Sequence, residues 1–233
     1  MTRTKKIIKK KLKKPDEFIT LSERTFLFVT QRAKSIAVWA GMVLILLLVV
    51  FSFQKWEKKN EESAYRMSHL AVETYGMVSS PYRDGSPQEY RTVLDRFDEV
   101  ITKYPRTPSG KIALLFKGNI YLQLGEFDDA AKAYEAFLQK TGEKKLYRSF
   151  ALDGLGYSYE GKKEYQKAAD AYQRIVGLGE GFQLADAYFG LGRCYEKMGR
   201  TKEALENYRN FISVSKKSEM TNIVLRKISD LEK

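Results

Sequence analysis

The segment LLFKGNIYLQLGEFDDAAKAYEAFL, Leu114 to Leu138, decides how this chain folds. It returns twice in altered form, as LDGLGYSYEGKKEYQKAADAYQRIV from Leu152 to Val176 and YFGLGRCYEKMGRTKEALENYRNFI from Tyr188 to Ile212. The equivalent glycines Gly118, Gly156 and Gly192 stand 38 and then 36 residues apart. Each copy predicts two helices. In the first, the glycine lets a neighbouring helix come close, and a tyrosine three residues on (Tyr121, Tyr159, Tyr195) points to the same side. A glycine ends that helix in the first and third copies (Gly125, Gly199); in the second the nearest, Gly161, is displaced. In the second helix an alanine (Ala130, Ala168, Ala204) gives another close contact. An aromatic lies one turn later (Tyr134, Tyr172, Tyr208), and an apolar residue closes the pair (Phe137, Ile175, Phe211).

Moving outward, YRTVLDRFDEVITKYPRTP places Val93, Phe97, Val100 and Pro105 at the spacing of another second helix with a terminal proline. Its first helix is expected from about Glu61 to Tyr75, with a turn-rich loop from Gly76 to Pro87. Beyond the last copy, Ile223, Val224, Ile228 and Leu231 recur at helical spacing between Glu219 and Leu231, as a helix capping an open end would. Extra residues between copies fall at Gly142–Lys145 and Gly177–Gly181. The pattern resembles the tetratricopeptide repeat, a helix–turn–helix unit of about 34 residues. The resemblance implies an all-α fold, an α-solenoid of about three to four such repeats with a C-terminal capping helix.

Further toward the N-terminus lies SIAVWAGMVLILLLVVFSFQ, Ser35 to Gln54, 20 residues without a charge, bounded by Lys34 and Lys55. A helix of that length spans roughly 30 Å, the thickness of a bilayer's hydrocarbon core, and satisfies its own backbone. Trp39 and Trp56 mark its two interfaces. Residues 1–34 carry 11 Lys/Arg against 3 Asp/Glu, whereas the charges just after the span balance. The positive-inside rule therefore places residues 1–34 in the cytoplasm and the repeats across the membrane. The leader is too long, and the apolar run exceeds the 7–15 residues usual, for a cleaved signal peptide. Residues 16–33 are expected to form a short helix lying on the membrane. The lysines at 5–14 either attract anionic lipids or only fix topology. The expected organisation is a basic tail (1–34), a transmembrane signal anchor (35–54), a linker helix with a degenerate first repeat (55–110), three repeats (111–214) and a cap (215–233).

Most of the net charge of +12 belongs to the tail, so it does not argue for nucleic-acid binding by the folded part. One cysteine, Cys194, and one histidine, His69, allow neither an internal disulfide, a catalytic triad nor a His-based zinc site. No phosphate-cradling glycine loop and no cofactor motif is present. The chain is expected to be no enzyme, with no metal and no cofactor. What remains is a surface. In tetratricopeptide folds the first helix of each unit lines a concave groove, so the off-core positions of those helices are the candidates. In register they are Leu115, Asp153 and Phe189; Asn119, Tyr157 and Arg193; and Leu122, Glu160 and Glu196. Leu115, Tyr157 and Phe189 are apolar where solvation favours charge, as a site for another protein's segment requires, with Asn119 and Arg193 making polar contacts. Ordinary packing between helices accounts for the same residues equally well. The basic and asparagine set that clamps a C-terminal carboxylate is absent.

A basic tail with a PDEF-like stretch, one anchor and a small repeat domain is similar to the YfgM-type bacterial inner-membrane proteins. That likeness implies contacts with the SecYEG translocon near residues 16–60, and with periplasmic chaperones or emerging polypeptides in the groove. It implies a single-pass inner-membrane protein with a periplasmic repeat domain. It transfers no individual binding residue. A scaffold for another envelope machine, building cell wall or surface polymer, is the alternative.

Overall fold

A computed structural model describes residues 17–80, 83–140, 145–179, 183–215 and 220–233. In order, the elements are α1 (Glu17–Gln31), α2 (Ala33–Val78), a minimal antiparallel ladder of β1 (Ser79–Ser80) and β2 (Arg83–Asp84), then α3 (Pro87–Lys103) and α4 (Pro108–Gln123). There follow α5 (Phe127–Lys140), α6 (Lys145–Gly161), α7 (Tyr165–Val176), α8 (Leu184–Lys197), α9 (Thr201–Val214) and α10 (Thr221–Leu231). The chain divides into two compact units, Met1–Trp56 and Glu57–Lys233.

In the first unit, α1 coincides with the helix expected before the anchor, and α2 contains the whole uncharged run. Side chains from Val38 to Phe53 are exposed around every face of the helix, and none of the most apolar 18-residue window is buried. This helix, apolar on all sides and covered by none of the described residues, is long enough to cross a membrane. The lysine cluster at 5–14 lies outside the described residues.

The second unit is a stack of helical hairpins. The first helix of the degenerate repeat is the far half of α2, which runs on to Val78 instead of yielding to loop at Gly76. Ala71 and Val78 join Val93, Phe97, Val100 and Ile120 in one core cluster, and α3 begins with a full capping box between Ser86 and Glu89, with Pro87 as its first residue. Glu61 accepts hydrogen bonds from the backbone N–H (3.2 Å) and hydroxyl (2.7 Å) of Ser109 at the start of α4.

The tyrosines of the second helices set the spacing. Tyr134, Tyr172 and Tyr208 are each fully buried. A Cβ on Gly118, Gly156 or Gly192 would come within 2.7 Å, 2.5 Å or 2.3 Å of the ring in its own repeat. A second glycine closes on the same ring from the next repeat, for a Cβ on Gly154 would lie 2.2 Å from Tyr134 and one on Gly190 2.6 Å from Tyr172. Tyr134 and Tyr172 are thus each clasped between two first helices, whereas Tyr208 in the last repeat meets only Gly192. In the first repeat the corresponding place is Phe116, because the preceding α3 presents Phe97 there. Those two rings stack with centroids 5.2 Å apart and planes 4° from parallel.

The turn inside each hairpin is the same in all three repeats. Backbone N–H groups of Glu126, Glu164 and Arg200 donate to the carbonyls of Tyr121, Tyr159 and Tyr195, and those of Gly125, Lys163 and Gly199 to Leu122, Glu160 and Glu196. This is the Schellman arrangement, which needs one left-handed residue. Gly125 and Gly199 supply it at φ 72° and 71°, and Lys163 takes the place in the second repeat at φ 60°. Gly161 is instead the last helical residue, pressed against Phe127 of the previous repeat, where a Cβ would be 2.5 Å from the ring. In α10, Val224 is buried on α9 with Ile228 and Leu231 beside it, as expected of a cap, but Ile223 is half exposed.

Candidate functional site: the inner face of the repeats

Successive first helices, α4 with α6 and α6 with α8, touch more closely than successive second helices, α5 with α7 and α7 with α9. The stack therefore bends toward α4, α6 and α8, and their free faces form its concave side.

The expected groove residues fall into three groups. Leu115 is not a groove wall: it is only 8% exposed and packs with Ala130, Tyr134 and Ala151, with Leu122 partly buried against the same cluster. Their aliphatic side chains have no polar end to hold them at the surface. Asn119, Glu160 and Glu196 are occupied by the buried tyrosines. The Tyr134 hydroxyl donates to Asn119 Oδ1, Tyr172 to Glu160 Oε1 and Tyr208 to Glu196 Oε2, each at 2.6 Å. In the first repeat the acceptor moves three positions back along the helix because Leu122, at the place of the glutamates, has nothing to accept with.

The third group is brought together at the junction of α6 and α8. Arg193 donates through Nε and Nη2 to both carboxylate oxygens of Glu160, at 3.1 Å and 2.6 Å. Its guanidinium also lies over the rings of Phe189 (4.7 Å) and Tyr157 (5.2 Å). Such a planar, bidentate and stacked arrangement suits arginine and not lysine. Tyr157 remains 41% exposed, edge-on to Tyr172, and Phe189 is partly buried against Tyr208 and Phe211. Asp153 keeps one buried carboxylate oxygen, Oδ1, with no hydrogen-bond partner. Burial, and then the neighbouring charge of Asp186, pushes its carboxyl up to about 7, although Arg193 pulls the other way. Burial likewise raises the carboxyl of Asp186. A cavity of about 230 Å³ follows toward the C-terminal end, lined by Glu160, Tyr165, Arg193, Glu196, Lys197 and Lys227, with Lys227 Nζ 2.8 Å from Glu196.

Leu146, Phe150 and Asp186 escaped the sequence reading. With Asp153 and Tyr157, the first two make an i, i+4, i+7, i+11 series on α6, and Asp186 is Phe150's counterpart one repeat on. That series was available in the sequence but begins before the conspicuous part of the repeat. Cys194 is fully buried, with its thiol pushed up to about 12 mainly by burial, which makes it unreactive. His69 lies exposed on α2. Among the described residues no group of His, Cys, Asp or Glu side chains is arranged to hold a metal ion.

Two family descriptions, both tetratricopeptide repeat, match residues 88–144 and residues 150–178 and 186–218, together just over half of the chain. The chain belongs to the tetratricopeptide-repeat family. It is similar to a tetratricopeptide repeat protein from Parabacteroides merdae ATCC 43184 (TM-score 0.57, 15% identity, covering 72% of this chain and 60% of that one). It is also similar to MamA 41-end from Desulfovibrio magneticus RS-1 (TM-score 0.52, 18% identity, 70% and 80% covered). These likenesses show the fold. Protein bimA of Emericella nidulans is 30% identical over 98 residues, 42% of this chain and 11% of that protein. The tetratricopeptide chain thus spans about a tenth of that curated relative's length. The repeats make it a protein-interaction module, and no catalytic family is indicated.

Proposed function

We propose that this chain is a membrane-anchored protein-binding module of the bacterial envelope. It is held by α2 in the inner membrane with its basic end in the cytoplasm and its repeats in the periplasm, and assists secretion or chaperone traffic at the Sec translocon. The observation that carries the binding role is the α6–α8 junction, where Tyr157 stays 41% exposed beside an arginine already stacked and ion-paired. The bare apolar surface of α2 supports the anchor. Confinement to the membrane raises the local concentration of partners, so weak affinity in the groove suffices. The test is photo-crosslinking in cells from a reactive residue at position 157 or 189. Translocon subunits, periplasmic chaperones or nascent chains are the expected products. Capture of cell-wall or surface-polymer machinery alone would replace the secretion role by a scaffold role, and capture of nothing would sink the groove.

A further inference from the structure

The face of α6 turned into the groove carries Leu146, Phe150, Asp153 and Tyr157 at helical spacing. The series covers roughly 16 Å along the axis. Leu146, Phe150 and Tyr157 are 53%, 37% and 41% exposed, so three large apolar side chains flank one carboxylate on a single helix. Across the groove on α8 stands Asp186, close enough to raise the carboxyl of Asp153. Among the described residues Asp186 makes no hydrogen bond or ion pair, and Oδ1 of Asp153 is buried without a partner. The nearest cation, Arg193, is already engaged by both oxygens of Glu160 and covered by two rings. Asp153 within the apolar strip, and the exposed Asp186 beside it on α8, are therefore left without a cation of their own. For Asp153, whose Oδ1 is buried, a charge lacking a counter-charge is costly, and a ligand that supplies one relieves that cost.

We infer that this strip receives a segment of another protein in which a lysine or arginine, flanked on both sides by bulky apolar residues, enters between Asp153 and Asp186. The inference rests on the groove reading above and adds the chemistry of the occupant. A segment offering an acidic side chain or a free C-terminus would be repelled there. Asp153 faces Glu160 and Tyr157 on its own helix, Asp186 and Arg193 on α8, and the hydroxyls of Tyr134 and Tyr172 from α5 and α7. Among these, Asp153 is the group that changes charge near neutrality, so binding strengthens as pH rises from 6 to 8.

The test uses the full chain in nanodiscs, with empty nanodiscs as the blank, and a fluorescent nine-residue peptide holding one central lysine between leucine and phenylalanine residues. A second peptide has glutamate in place of the lysine. Fluorescence anisotropy should show the lysine peptide binding at least tenfold more tightly at pH 8. Asp153→Asn and Asp186→Asn together should remove that preference, and Asp153→Asn alone the rise from pH 6 to 8. Both replacements are near-isosteric, and unchanged circular dichroism verifies that the variants fold. Equal binding of the two peptides, lost in Tyr157→Ala, would overturn the cation inference and leave the groove standing. Failure of the chain to bind the lysine peptide at all would overturn the inference, whatever the crosslinking in cells shows about the groove.

Discussion

Lys163 sits at φ 60° in a turn whose two counterparts are glycines. A side chain in the left-handed region costs about 1 kcal/mol, which glycine avoids. Lys163→Gly is therefore expected to stabilise the repeats by about 0.5–1 kcal/mol, seen as a higher urea midpoint, with the hairpin unchanged. Asp153 makes a second prediction at this scale. Unfolded, it releases its proton near 3.8; folded, it holds it to about 7, mainly through burial. Across that window the folded chain binds the extra proton, so the stability Asp153 contributes falls as pH rises and is level above and below. Asp153→Asn carries no charge at any pH. It is expected to melt higher than the natural chain at pH 8, the stability difference being on the order of 1 kcal/mol, and to melt with it at pH 3, below both values. An equal difference at both pH values would show that packing, and not ionisation, is responsible.

At the scale of the helix pair, the seams between repeats are set by glycine meeting tyrosine. The sequence displayed one half of each seam, because Gly118, Gly156 and Gly192 recur with the repeat. The other half was harder to see, since Gly154 and Gly190 have Phe116 as their counterpart and the period is broken. Phe116 there answers Phe97, which stands where a tyrosine is missing. The hairpins themselves were legible, being written in local spacing. The groove was less so: whether a position one turn from the core is wall or core depends on how far the next helix leans in, and Leu115 fell on the inner side. The Tyr134 ring is fixed by its hydrogen bond to Asn119 and cannot swing away from an added methyl. Gly154→Ala and Gly190→Ala are accordingly expected to destabilise by about 1–3 kcal/mol each. Gly177→Ala is the control, for its φ is −64° and the nearest atom to its Cβ would be 3.5 Å away. It should be neutral or stabilise by up to about 1 kcal/mol.

For the molecule as a whole, the decisive contrast is between a helix bare of cover and a stack that buries its own core. The apolar side chains of α2 between Val38 and Phe53 are exposed and no other described helix covers them, so water is a poor solvent for them and lipid a good one. The full chain is expected to stay with membranes in alkaline carbonate. The orientation we propose rests on 11 basic against 3 acidic residues before position 35, because such an excess is expected on the cytoplasmic side. The single cysteine makes this testable without altering the background. Cys194 is fully buried and its thiol is held up to about 12, so the natural chain should resist a membrane-impermeant maleimide. Lys202→Cys places a thiol on the exposed start of α9, and Thr2→Cys places one in the basic tail. In intact bacterial spheroplasts the first should label at once and the second only after permeabilisation. The reverse pattern would put the repeats in the cytoplasm, and with them the groove, its partners and the secretion role.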